Sequence, residues 1–231
     1  MSDPLDRLEA RIGHVFKDRA HLLLALTHPS WQQDNPAFRG NNQRLEFLGD
    51  AVVHLIVSEA LYREFPRERE GGLTHRRSAL ANGAVLTQLA TEIDLASAVR
   101  LGSSEEATGG RTRASTIEDA FEALIGAVYL DAGLEVARRV VLGIYGDLGA
   151  RLATLEYAIN PKGRLQEIVQ PSHGNGALRY DSVKAGGLDH SLEFTSSVYL
   201  KDRLLGTGQG SSKKLAEEAA ARMALLKYSA R

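Results

Sequence analysis

Through the first two thirds of the chain, apolar residues recur at helical spacing. Leu22, Leu23 and Leu26 make one apolar face, which stops at the turn His28-Pro29-Ser30. From Leu45 to Phe65 the apolar positions run nearly all round the helix: Leu45, Phe47, Leu48, Ala51, Val52, Val53, Leu55, Ile56, Val57, Ala60, Leu61 and Phe65. That pattern predicts a buried helix rather than a surface one. Gly71-Gly72 predicts a break, with Thr74 capping the next helix, and Leu80, Val85, Leu86 and Leu89 continue the helical period. The polar, glycine-containing stretch from Gly102 to Arg113 reads as a loop. Ile117, Ala120, Phe121, Leu124, Ile125, Val128 and Tyr129 predict a second all-round apolar helix over Thr116 to Leu130, with Gly133 as its stop.

The pattern changes after Asn160-Pro161. A short helix is expected over Arg164 to Gln170 and a strand over Tyr180 to Val183. Leu192, Phe194, Ser196, Val198 and Leu200 then alternate with Glu193, Thr195, Ser197, Tyr199 and Lys201, the period of a sheet with one wet face. Lys201-Asp202-Arg203 is a hairpin tip, and Leu204 and Leu205 open a third strand that ends at Gly208 and Gly210. Leu215, Ala216, Ala219, Ala220, Met223 and Leu226 are expected to share the buried face of a last helix. The expected architecture is an all-α domain over residues 1–157, a linker at 158–161, and a small α+β (α-β-β-β-α) module over 162–231.

The 231 residues are 43% hydrophobic and 25% charged, as in ordinary soluble globular chains. The absence of cysteine excludes a disulfide scaffold, a thiolate zinc site and a cysteine nucleophile, and fits a reducing compartment. No apolar run approaches the roughly 18 residues of a membrane span. Met1-Ser2-Asp3-Pro4-Leu5-Asp6-Arg7 lacks the core of a signal peptide. The expectation is a cytoplasmic protein with no membrane partner. The net charge of −1 hides an asymmetry: from Asn160 onward 11 basic residues face 7 acidic ones (+4), and before it 17 face 22 (−5). An acidic front and a basic back suggest two modules with different partners.

The candidate chemistry lies in four carboxylates. Glu46 and Asp50 are four apart and share a face of the first apolar helix; Asp119 and Glu122 are three apart and share a face of the second. Only Arg44 stands near enough in sequence to pair with them. If the two faces meet, four like charges converge, and a hard divalent cation is the natural compensation. Oxygen-only ligands favour magnesium or manganese over zinc. Two ordinary carboxylate pairs facing water remain the alternative. His28 reads as a turn residue, and the glycines and serines of 206–212 fit no Walker spacing. Lys213-Lys214 opens a helix where positive charge opposes the macrodipole, which makes sense if a phosphate sits there, or if both lysines simply face solvent.

The run Asn42-Gln43-Arg44-Leu45-Glu46-Phe47-Leu48-Gly49-Asp50 resembles the signature of bacterial ribonuclease III. Asp119-Ala120-Phe121-Glu122-Ala123-Leu124-Ile125-Gly126-Ala127 resembles that family's second acidic motif, and Lys162 to Tyr228 resembles its double-stranded RNA-binding domain. The resemblance covers nearly the whole chain in the family's order. It implies a homodimeric, all-helical endonuclease domain that cuts double-stranded RNA, leaving 5′-phosphate, 3′-hydroxyl and a short 3′ overhang, in ribosomal and messenger RNA processing. By it, Glu46, Asp50, Asp119 and Glu122 bind Mg2+ (or Mn2+), with Asp50 and Glu122 catalytic and Glu122 the most critical. Phe47 plugs into the partner subunit. Gln166, Glu167 and Gln170 touch the minor groove, His190 enters the next one, and Lys213 and Lys214 clamp phosphate. No small-molecule cofactor is implied.

Two positions depart from the family. Gln43 stands where it usually has Glu, which removes a negative charge beside the cluster, and Gly163 stands where it often has a hydroxyl residue. The mechanism so implied is metal-assisted hydrolysis with in-line attack by water and no protein nucleophile. Duplex RNA would be read largely by shape across its shallow minor groove. The alternative is a non-catalytic double-stranded RNA-binding protein that kept the fold.

Overall fold

The computed structural model describes residues 3–186 and 193–229. The chain divides into two units, Met1–Leu148 and Gly149–Arg231. The first holds helices α1 (Pro4–Ile12), α2 (Arg19–Ala25), α3 (Trp31–Asp34), α4 (Gln43–Glu64), α5 (Glu70–Leu80), α6 (Gly83–Glu92), α7 (Ser103–Ala107), α8 (Ala114–Ala132) and α9 (Leu134–Tyr145). The second runs α10 (Leu148–Ile159), α11 (Pro161–His173), β1 (Leu178–Gly186), β2 (Glu193–Leu200), β3 (Arg203–Gly210) and α12 (Lys213–Ser229). A mostly helical domain followed by a small α+β module is the architecture the sequence pattern calls for. No helix among the described residues is long and apolar enough to cross a membrane.

Helix α8 is the centre of the first unit. Ile117, Ala120, Phe121, Ala123, Leu124, Ile125, Ala127 and Val128 are all buried, and α2, α4, α6 and α9 pack around them. Its most extensive partner is α4, which contributes Leu45, Val52, Val53, Ile56, Val57 and Leu61 to the core. The two helices meet backbone to backbone. A Cβ on Gly49 would overlap the Glu122 carbonyl oxygen, and one on Gly126 would run into the Leu45 carbonyl oxygen. Helix α8 ends at Gly133, whose φ of 82° lies in the left-handed region that suits glycine.

The structure corrects several local expectations. Helix α4 is not buried all round: Phe47 is 82% exposed and Tyr62 72%, and with Leu55 they leave an apolar stripe facing outward. Gly71-Gly72 does not break the chain, since α5 starts at Glu70 and carries both glycines. Gly72 is pressed against the Glu68 side chain, which Arg76 holds by an ion pair at 3.0 Å. Thr74 lies inside that helix and donates to the Glu70 carboxylate at 3.2 Å instead of capping. The cap in this region is Asn82, whose Oδ1 accepts from the Val85 amide at the start of α6. The 102–113 stretch is not all loop. It holds α7 and a 3-10 turn at Gly110–Thr112, tied down by Arg111, which pairs with Glu106 and donates to the Ala96 and Val99 carbonyls at 2.6 and 2.9 Å.

In the second unit the sheet is antiparallel in the order β1-β2-β3. The β2–β3 turn passes through Lys201, a non-glycine residue at a φ of 54°. The even positions of β2 face the core, with Ser196 and Val198 fully buried; Leu192 lies outside the described residues. Helix α12 corrects the expected face. It buries Ala216, Ala220, Ala221, Ala224 and Leu225, while Leu215, Met223 and Leu226 are exposed. The cause is β3: Gly206, Gly208 and Gly210 lie against the α12 backbone, where a Cβ on Gly206 would come 2.5 Å from the Ala220 carbonyl oxygen. Only an alanine face fits that close.

The α4–α8 crossing yields a stability prediction. Gly49→Ala places a methyl group where backbone already is, so the helices must separate. We expect a loss of about 3 kcal/mol, a fall in Tm of roughly 10 °C. A thermal melt of the variant within a degree or two of the parent would refute the crossing.

Candidate active site and nucleic-acid interface

The crossing decides where the carboxylates go. It pairs Leu45 and Gly49 of α4 with Glu122 and Gly126 of α8. Glu46 and Asp50 each follow one of the α4 contact residues in sequence, and Asp119 lies one turn before Glu122. All four are therefore anchored near the crossing. The start of α4 is fixed locally: the Asn42 amide donates to the Thr27 carbonyl at 2.9 Å, and the Asn41 Oδ1 accepts from the Gln43 amide at 3.1 Å.

The carboxylates of the two helices act on one another. Glu122 is half-buried and its carboxyl is pushed up to about 8, first by burial and then by Asp50, Glu118, Glu46 and Asp119. Burial also raises Glu46, with Asp119, Glu118 and Asp50 adding to it. Asp119 is raised by burial and drawn partly back by His28. His28 is thus near the cluster, and its Nδ1 accepts from the Ser30 amide at 3.2 Å. Asp50 is exposed and leans toward His54, with Nε2 to Oδ1 at 3.4 Å. Among the described residues no positively charged group is a cause of the shifts of Glu46 and Glu122. The sequence missed Glu118, whose carboxyl burial, Asp119 and Asp50 also raise. Its place beside one cluster member and one turn before another could have flagged it, but nothing in the sequence separates it from a solvated helix residue.

The chemistry of this donor set fits a hard divalent cation: carboxylate oxygens, half-buried at Glu122, whose mutual repulsion a cation would relieve. The side chains are not pre-gathered. Among the described residues no group of three His, Asp or Glu stands as a metal-binding set.

Of the expected RNA-contacting residues, Gln166 and Lys213 share one edge of the second unit. Gln166, Glu167 and Gln170 are exposed on α11, and Gln166 and Gln170 line a groove with Lys162, Gly163, Gly176 and Tyr180. Lys162 pairs with Glu217 of α12 and lies over the Tyr180 ring, 4.6 Å from its centroid. Gln166 is one turn beyond Lys162, and Lys213 is one turn before Glu217, so the α11 and α12 contributions share that edge. Lys213 and Lys214 are exposed, each 4.0 Å from an α12 glutamate one turn on. At Gly163 the reason for glycine is local. Its amide donates to the Asn160 cap at 3.0 Å, and a Cβ would collide with that side chain. His190 lies outside the described residues.

Comparison with known proteins agrees with both halves. Residues 18–148 match the model of the Ribonuclease-III-like family, and residues 161–228 match that of the double-stranded RNA binding motif. Ribonuclease 3 of Caldanaerobacter subterraneus subsp. tengcongensis is 43% identical over 223 residues, covering 96% of this chain and 97% of that protein. Ribonuclease 3 of Pseudomonas fluorescens is 44% identical over 230 residues, 98% of this chain and 96% of that one. The nuclease domain of ribonuclease III from Campylobacter jejuni superposes with a TM-score of 0.57 at 38% identity, covering 61% of this chain and 94% of that domain. That structure was described for flexibility in a region involved in its dimer formation.

Glu122 sets a pH dependence. The folded, metal-free protein keeps a proton on Glu122 that the unfolded chain releases above about pH 4.5, the ordinary value, and holds it up to about pH 8. A raised carboxyl contributes stability at low pH that is lost as pH climbs through this window. In chelator, Tm should therefore fall between pH 5 and about 8, and Glu122→Gln should flatten the fall. Parallel pH profiles for the two proteins would contradict the assignment.

Proposed function

The chain belongs to the ribonuclease III family, and from that premise we propose that magnesium held by Glu46, Asp50, Asp119 and Glu122 serves hydrolysis at the α4–α8 crossing. The protein is a double-stranded RNA-specific endoribonuclease, a hydrolase with its own duplex-binding module. The observation that supports the metal reading is Glu122: a half-buried carboxyl pushed up to about 8, first by burial and then by the carboxylates around it, suits a cation.

Magnesium, or manganese in its place, supplies when bound a Lewis acid for the phosphoryl oxygens and lowers the pKa of water at the site. The chain's own residues do the rest. Asp50 of α4 and Glu122 of α8 are the catalytic pair. Rigid α4 and α8 hold the four carboxylates in place, and the apolar core beneath them keeps bulk water from one side. In-line attack of water on phosphorus leaves a 5′-phosphate and a 3′-hydroxyl. The exposed Phe47, Leu55 and Tyr62 stripe is the homodimer interface, and a pair of sites cutting opposite strands leaves a short 3′ overhang. The second module seats the duplex with Gln166, Glu167 and Gln170 in the minor groove and Lys213 and Lys214 on phosphate, with His190 reaching the next groove. Ribosomal and messenger RNA precursors that fold into duplexes are the proposed substrates, and the cytoplasm is the proposed location. The rival is duplex binding without cleavage by a protein that kept the fold.

Cleavage of a long duplex should stop in excess chelator and return with magnesium or manganese. Glu122→Gln should cut more than about 100-fold more slowly, since a lost ligand costs more than a lost outer-sphere partner, while duplex binding stays near the parent. Cutting that persists in chelator ends the metal mechanism. A parent protein that binds but never cuts supports the rival.

Replacing Lys213 and Lys214 with Ala should weaken duplex binding about equally across sequences. It should also flatten the slope of log affinity against log salt by on the order of 0.7–0.9 for each phosphate that is no longer neutralised. The measurement is binding on a Glu122→Gln background at several salt concentrations. An unchanged slope and affinity would make the pair solvated surface.

A further inference from the structure

The groove on the second unit has a floor, a mouth and an unserved polar atom. It encloses about 280 Å³ along α11 and the start of β1, just below the roughly 300–1,000 Å³ of sites that take drug-sized ligands. Its lining is apolar at Val169, a member of this unit's core, and at Ala177 and Leu178, which pack partly buried against that core. Tyr180 lines the groove too, and its hydroxyl is buried with no hydrogen-bond partner. Buried polar groups are normally paired, so an orphaned one points to a ligand or water that completes it. Burial, with Glu217 adding to it, pushes this hydroxyl up to about 12, so at neutral pH it keeps a proton to donate. The mouth is bare. Gly174 and Gly176 sit in the left-handed region, at φ of 79° and 78°, and a Cβ on either would meet nothing within 4 Å. Gln166 brings a carboxamide to the rim, and Gln170 donates to Asn175 there.

These features fit a flat ligand with apolar faces, donors and acceptors along its edge, and the size of a single ring system. A nucleobase has that chemistry. A glutamine carboxamide carries a donor and an acceptor side by side and pairs with base edges. A paired base has its Watson–Crick edge occupied, whereas a base splayed out of a bulge offers it to protein. The groove opens beside Gln166 and Gln170, so a duplex whose minor groove holds those residues passes its mouth. We propose that the groove receives an extrahelical base of the duplex, its edge on the Tyr180 hydroxyl and the Gln166 carboxamide. The second unit then reads a bulge as well as the shape of the helix. The proposal rests on the reading of α11 as the minor-groove element.

The test is binding of the full chain, with Glu122→Gln and in chelator, to two duplexes that differ by one unpaired adenosine. The bulged duplex should bind about 5-fold more tightly, the worth of roughly one hydrogen bond. A 2-aminopurine in place of the bulged base should brighten on binding as it leaves the stack. Tyr180→Phe should erase the preference and leave affinity for the perfect duplex unchanged. Its Tm should stay level or rise, because the lost hydroxyl had no partner. Ala177→Leu, which puts bulk into the groove, should also erase the preference. Equal affinity of the parent for the two duplexes, or a preference that survives both substitutions, would overturn the proposal. A fall in the Tm of Tyr180→Phe would make the hydroxyl structural and overturn it as well. Free adenosine that binds the protein but leaves the bulge preference intact would make the groove a nucleoside site, with the same consequence. Gln166→Ala should weaken binding of the perfect duplex; if it does not, the minor-groove reading of α11 fails and the proposal with it.

Discussion

The first unit depends on one close approach. At Gly49 and Gly126 the backbones of α4 and α8 touch with no side chain between them, so the axes are nearer than any larger pair would permit. Everything about the acidic cluster follows from this. The carboxylates are anchored on residues next to the crossing point, on helices whose other faces are locked in the core. Asp50 reaches toward His54, but the Cα atoms cannot separate without opening the crossing. Burial and mutual repulsion then act on groups with nowhere to retreat, which is why Glu122 shifts furthest.

The second unit uses the same device in another geometry. Gly206, Gly208 and Gly210 alternate along β3 and bring one bare face of the strand against α12. The helix answers with Ala216, Ala220 and Ala224. Small residues on both sides make the layer thin and fix the position of α12. The Lys162–Glu217 pair, with Ser182 also donating to Glu217 at 3.2 Å, then ties α11 to the same helix and holds the Glu217 carboxyl below its usual range. The exposed polar face of α11 and the first turn of α12 come to one edge because a glycine strand lets them.

Much of this was legible in the sequence, and the exceptions have physical causes. The two long apolar helices, the period-two strand and the stop at Gly133 each stand where hydrophobic spacing puts them, because core burial is the strongest local signal. Glu46, Asp50, Asp119 and Glu122 stand out as charges on oily helices. Their meeting is set by Gly49 and Gly126, and glycine in a helix reads locally as weakness. The same ambiguity makes Gly71-Gly72 look like a break. On α12 hydrophobicity favours Leu215, Met223 and Leu226, whereas the thin gap to β3 selects alanine. Apolar character all round α4 suggests burial on every side. A helix can show that pattern with one side in the core and another, here Phe47, Leu55 and Tyr62, facing out. Glu118 does not stand out in the sequence, because its approach to Gly83, 35 positions earlier, is set by the packing of another helix.

The site also shows where stability is given up for chemistry. Carboxylates crowded at a helix crossing oppose folding, through lost hydration and through repulsion. The chain tolerates them because the same two helices bury more apolar side chains than any others in the unit, so the loss falls on the element best able to bear it. A cation that binds only the folded cluster shifts the balance back, since a ligand specific to the native state adds to its stability. The acidic site and the apolar core are thus one arrangement: the crossing is oily enough to force the charges together and strong enough to survive doing so.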